Sequence, residues 1–121
     1  MKNAAAVAAL AALAQDSRLD VYRLLVQAGP DGLAAGEVAA KLKLAPNTLT
    51  FHFDRLRDAG LVTVRRDGRS MIYAARFEVM NALLGYLTEN CCAGAAENCA
   101  PASCSPSRTA KQNKVPAKVT A

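Results

Sequence analysis

Residues 46–75 read PNTLTFHFDRLRDAGLVTVRRDGRSMIYAA, and this stretch decides the fold. Pro46 is well tolerated in the first turn of a helix, and Leu49, Phe53 and Leu56 recur at helical spacing as a stripe to be buried. Gly60 supplies the left-handed residue that commonly stops a helix, which predicts a helix from about Pro46 to Ala59. Residues 61–66 and 69–74 are then β-branched or apolar runs on either side of Asp67-Gly68, the two-residue signal of a type I′ hairpin. The hairpin tip gathers Arg65, Arg66 and Arg69 around a tight turn.

Working outward, Ala35, Val38, Ala39 and Leu42 repeat at i, i+3, i+4 and i+7, a short helix separated from the next by Lys43-Leu44-Ala45. Two short helices about three residues apart make a helix-turn-helix, and the arm that follows is a wing. Upstream, Leu19, Tyr22, Leu25 and Val26 mark a helix capped at Asp16-Ser17 and ended by Gly29-Pro30-Asp31-Gly32. A first helix carries Val7, Leu10 and Leu13. A last one, from about Arg76 to Glu89-Asn90, carries Phe77, Met80, Leu83, Leu84 and Leu87. The fold class is therefore mainly α with a β-hairpin wing, a winged helix-turn-helix.

A domain of about ninety residues has little core to receive the stripes of both the first and the last helix. The expectation is a homodimer built on those two helices, which would set two reading heads on one side, as a twofold DNA site requires. The alternative, that both stripes cover the monomer's own core, stays open.

At 121 residues, with 52% hydrophobic content but only 5% aromatics, the chain suits helix packed on helix and excludes a large multidomain enzyme. Its net charge of +5 is uneven. The basic excess of residues 41–76 lies inside a foldable stretch and offers a fixed footprint for nucleic acid, whereas the basic, Pro-containing tail 105–121 has little to bury and is expected to be disordered. The domain division expected is 1–92 for DNA binding and dimerisation, 91–104 for a cysteine-rich segment, and 105–121 for the tail.

The N-terminal apolar run resembles a short secretory signal, but its bulkier residues recur at helical spacing and lead straight into Asp16-Ser17, so it is read as a helix. Nothing approaches the roughly 20 apolar residues of a membrane span. A cytoplasmic protein is expected. One histidine, His52, and no phosphate loop, dinucleotide fingerprint or paired catalytic carboxylates leave the enzyme reading only as a small thiol-based reductase, which would need an α/β scaffold this chain does not suggest; no enzyme is expected. A protein that docks on another protein through its basic wing is a further reading, one that predicts no salt-dependent DNA binding.

The segment Thr50, His52, Phe53, Leu56 and then Ala59-Gly60-Leu61-Val62 resembles the recognition helix and wing entry of the ArsR/SmtB family of metalloregulatory repressors, with Phe53 where the family has Leu. The resemblance covers residues 3 to about 92. It implies a homodimer that sits on operator double-stranded DNA and leaves it on binding a metal or metalloid. Asn47, Thr48, Thr50, Phe51, His52 and Arg55 would face the major groove, while Arg65, Arg66 and Arg69 would hold phosphates or enter the minor groove. For His52 a place at the edge of the core beside Phe53 is an equal alternative.

The cysteine pair that the family's arsenic and cadmium sensors carry in the helix before the recognition helix is missing from residues 36–42. The chain has instead Asn90-Cys91-Cys92, then Cys99 and Cys104, which resembles the arsenite-responsive subgroup with C-terminal cysteines. Read as chemistry, four cysteines within fourteen residues suit a soft ion better than disulfides in a cytosolic protein. Adjacent thiolates rarely bond to each other, and Cys99 can fold back to supply a third sulfur. Three thiolates match As(III) or Sb(III), which form three bonds. No organic cofactor is implied. Zinc, cadmium or lead held with Cys104 as fourth ligand, a thiol redox or persulfide switch, and an inert tail are the alternatives; the spacing lacks the C-x₂₋₄-C knuckles of structural zinc.

Overall fold

The computed structural model describes residues 1–94. They fall in two units, Met1–Leu87 and the described part, 88–94, of Thr88–Ala121. The first unit runs α1 (Asn3–Leu13), α2 (Asp16–Ala28), β1 (Leu33–Ala34), α3 (Ala35–Leu42), α4 (Pro46–Asp58), β2 (Val62–Asp67), β3 (Ser70–Ala75) and α5 (Phe77–Leu87). The three strands form an antiparallel sheet in the order β1-β3-β2. This is a winged helix-turn-helix, as the sequence predicts.

Local chemistry sets the boundaries. Gln15 caps α2 by accepting the Arg18 backbone N–H at 2.8 Å, in place of the expected Asp16-Ser17 cap. The Arg18 Nε donates to the Ala12 carbonyl at 2.6 Å and so ties the end of α1 to the start of α2. Glu37 Oε1 accepts the Ala34 N–H at 3.0 Å, satisfying one of the orphan donors that precede α3. β1, too short to read from its pattern, pairs Leu33 with Tyr73 and Ala34 with Ile72, holding the start of α3 against the wing. Gly32 makes that approach possible: its φ is +75°, and a Cβ there would collide with the Tyr73 carbonyl oxygen.

The core is built where α2, α3 and α4 meet the sheet. Phe53, Leu25, Leu49, Leu56, Leu61, Val21 and Val38 are the largest side chains fully buried there. The stripe Leu49, Phe53 and Leu56 behaves as predicted, and His52 joins it.

The structure corrects the expected hairpin turn. Asp67 pairs with Ser70, so the two-residue turn is Gly68-Arg69, with Gly68 at φ +65° in the first position, rather than Asp67-Gly68. The expected register would have set Arg66 opposite Arg69, two like charges on paired positions; the observed one sets Val64 opposite Tyr73 and takes Arg69 into the turn. In α1 the buried face is Ala6, Ala9 and Ala12, while Val7 and Leu10 are exposed. Alanines let the helix lie close on its neighbours, and Tyr86 Oη, which donates to Asn3 Oδ1 at 3.0 Å, joins α5 to α1. The larger apolar residues Val7, Leu10, Leu84 and Leu87 are thereby left outside the monomer's core.

Candidate nucleic-acid interface

The face of α4 opposite the core stripe carries Asn47, Thr48, Phe51, Asp54 and Arg55, all exposed. Thr50, at the flank, is exposed as well, and its hydroxyl donates to the Pro46 carbonyl at 3.0 Å, so its oxygen lone pairs face outward while its proton stays with the helix. Phe51 is 51% exposed, and the Arg55 guanidinium carbon lies 5.0 Å from its ring centroid. Arg57 sits 4.0 Å from Asp54 one turn back.

His52 departs from the groove-facing set. Its side chain is 6% exposed and lies on the core side of α4, where Nδ1 has no hydrogen-bond partner. Burial, helped by the nearby Arg18 charge, holds its pKa below the usual histidine value, so it is neutral at physiological pH. Of the two placements open from sequence, the edge of the core beside Phe53 is the one observed.

The wing arginines divide by role. Arg65 Nη2 donates to the Asp31 carbonyl at 3.1 Å, bracing the arm against the turn before β1. Arg66 Nε donates to the Gly68 carbonyl at 3.3 Å and stiffens the tip, and Arg69 occupies the turn itself, exposed. All three guanidinium groups remain at the surface, on an arm that juts from the sheet next to α4. Lys43, which sequence reasoning did not single out, is exposed in the left-handed turn (φ 56°) that leads into α4. The charge excess of residues 41–76 was the available signal for it. Such a cation ahead of a helix N-terminus is placed to meet a phosphate.

In the second unit, Cys91–Gly94 forms a 3₁₀ turn, with left-handed backbone at Asn90, Cys92 and Ala93. The Cys91 and Cys92 side chains are exposed. Cys99, Cys104 and the tail 105–121 lie outside the described residues. Among the described residues no three His, Cys, Asp or Glu side chains gather as a metal site, and no helix is long and apolar enough to cross a membrane.

Comparison with known proteins agrees with this geometry. Residues 13–65 match a family described as a helix-turn-helix domain. An uncharacterised HTH-type transcriptional regulator of Bacillus subtilis, YceK, is 36% identical over 77 residues, which are 63% of this chain and 76% of that protein. The structure of HlyU from Vibrio cholerae superposes with a TM-score of 0.58 at 32% identity, covering 72% of this chain and 97% of HlyU. The homodimeric winged helix-turn-helix DNA-binding domain Mb0332 from Mycobacterium bovis, described as a possible ArsR-family regulator, superposes with a TM-score of 0.58 at 25% identity, covering 71% and 80% of the two chains.

Proposed function

This chain belongs to the helix-turn-helix transcriptional regulators of ArsR-like type, and on that premise we propose that it is a dimeric repressor released from operator DNA by trivalent arsenic or antimony. The observation that carries DNA binding is the pairing of an exposed polar face on α4 with a rigid arginine-tipped wing beside it. Asn47, Thr48, Thr50, Phe51 and Arg55 enter the major groove, where base edges are distinguishable. Arg66, Arg69 and Lys43 hold the flanking phosphates.

The dimer rests on α1 and α5. Val7, Leu10, Leu84 and Leu87 are apolar side chains that the monomer leaves exposed, and a groove of about 430 Å³ beside them is lined by Leu13, Leu19, Tyr22, Met80 and Leu83. A second copy seated there would cover these side chains, and a dimer is supported by the Mycobacterium bovis domain's being described as homodimeric.

The inducer reading is supported by the donor chemistry. Two exposed thiols stand side by side at Cys91 and Cys92 in the segment after α5, and Cys99 is the third soft donor close in sequence. These residues suit a thiophilic, three-bonded centre and offer nothing to a hard ion. Cys91, Cys92 and Cys99 would hold such a centre, which would supply three bonds to sulfur. The chain's own part is to pass the ordering of that segment to α5 and so to the spacing of the two heads.

The test is a titration of a labelled operator duplex with arsenite, zinc and cadmium added separately. Release by arsenite alone supports the reading. Release by zinc or cadmium alone moves the sensor to a four-sulfur ion, and release by none of them removes the inducer assignment.

A further inference from the structure

The outward face of α4 holds a feature that neither the core nor the wing uses. Phe51 is an aromatic ring set among polar side chains and 51% exposed. It lies on the opposite side of the helix from Leu49, Phe53 and Leu56, so it contributes nothing to the core. One turn on, Arg55 lies over that ring, 5.0 Å from its centroid, and among the described residues forms no salt bridge. Positions i and i+4 are neighbours on a helix, and the attraction of a guanidinium for a ring face limits the rotamers that Arg55 samples.

Resting on the reading that α4 enters the major groove, we propose that Phe51 and Arg55 act as one reading unit for a thymine next to a guanine. Phe51 packs on the C5-methyl of the thymine, and Arg55 donates two hydrogen bonds to O6 and N7 of the guanine. The thymine methyl is the one apolar group that base pairs present in that groove, and the arginine fork matches the guanine edge. Neighbouring bases are about 3.4 Å apart along the axis, a spacing that two side chains in contact can span. The ring cushions one face of the guanidinium and leaves its N–H edge free to point outward. A phosphate is the poorer partner here: Asp54 and Asp58 are exposed on the same side of the helix and repel the backbone.

The test recovers binding sites from a pool of randomised duplexes with the wild type, Phe51→Ala and Arg55→Ala. Both side chains are exposed, so neither change empties the core. The wild type recovers a thymine beside a guanine in each half-site; Phe51→Ala keeps the guanine but accepts any base at the thymine; Arg55→Ala loses the guanine. Deoxyuridine is then placed at that thymine, removing only the methyl group. The wild type weakens about fourfold per methyl removed, and Phe51→Ala is indifferent. If the wild type binds the deoxyuridine duplex as tightly as the original, the reading unit is overturned while DNA binding stands. Recovery of no preferred sequence by the wild type overturns both.

Discussion

The ring of Phe53, from α4, lies flat on the ring of Tyr73, from β3, with centroids 3.6 Å apart and planes 5° from parallel. Both residues are buried. α4 and the wing are thus clamped by one aromatic pair, and the angle between these two elements, proposed above to meet DNA, is set in the core rather than at the surface. Burial pushes the Tyr73 phenol up from its usual pKa, with Arg57 pulling it down and Asp54 adding to the rise, so the ring stays neutral.

Removing half of that clamp costs stability and geometry together. Phe53→Ala is expected to destabilise the fold by about 3–5 kcal/mol, the range for emptying a buried aromatic site. Tyr73→Phe keeps the stack and costs under about 1 kcal/mol. Denaturant midpoints with unchanged slope check both values.

Acid should loosen α4 through His52. Its folded-state pKa is depressed, so the neutral form contributes stability that is fully present above the unfolded histidine value of about 6.5. That contribution is lost as the pH falls from there through the lower folded value. His52 is the sole histidine, so the unfolding free energy of the wild type should decline as the pH falls below about 6.5, while His52→Leu shows a flatter profile there.

The wing should appear in the salt dependence of DNA binding. Arg69→Ala removes one phosphate contact per protomer, two per dimer, and should flatten the slope of log affinity against log salt by about 1.8. An unchanged slope would place Arg69 away from the DNA.

Much of this architecture was legible in the sequence because helical periodicity and turn glycines are local signals. Leu49, Phe53 and Leu56 announced the buried side of α4, and Pro46 and Gly60 its ends. The turn register was not legible, since Asp67-Gly68 and Gly68-Arg69 both satisfy a glycine at positive φ. Cross-strand pairing of Val64 with Tyr73 decides between them. Nor could periodicity choose the face of α1: both the alanine side and the side with Val7 and Leu10 recur at helical spacing, and close packing favours the smaller residues. His52 was ambiguous because a histidine suits a wet groove and a core edge alike. β1, with two residues, has no pattern to read.

The exposed side of α1 tests the dimer. Val7→Glu combined with Leu10→Glu alters only side chains that the monomer leaves in water, so the fold should survive. Sedimentation should show a monomer, and DNA affinity should drop about a hundredfold or more as the second head is lost. A variant that stays dimeric would move the interface elsewhere.

The inducer site is tested most directly by release of a labelled operator duplex across an arsenite series, using the single Cys→Ser variants at Cys91, Cys92, Cys99 and Cys104. A hydroxyl is a hard, weakly acidic donor that cannot stand in for a thiolate on a soft centre. Cys91→Ser, Cys92→Ser and Cys99→Ser should each bind DNA as the wild type does and stay bound when arsenite is added, while Cys104→Ser releases normally. Normal release by Cys91→Ser or Cys92→Ser would contradict a three-thiolate inducer site.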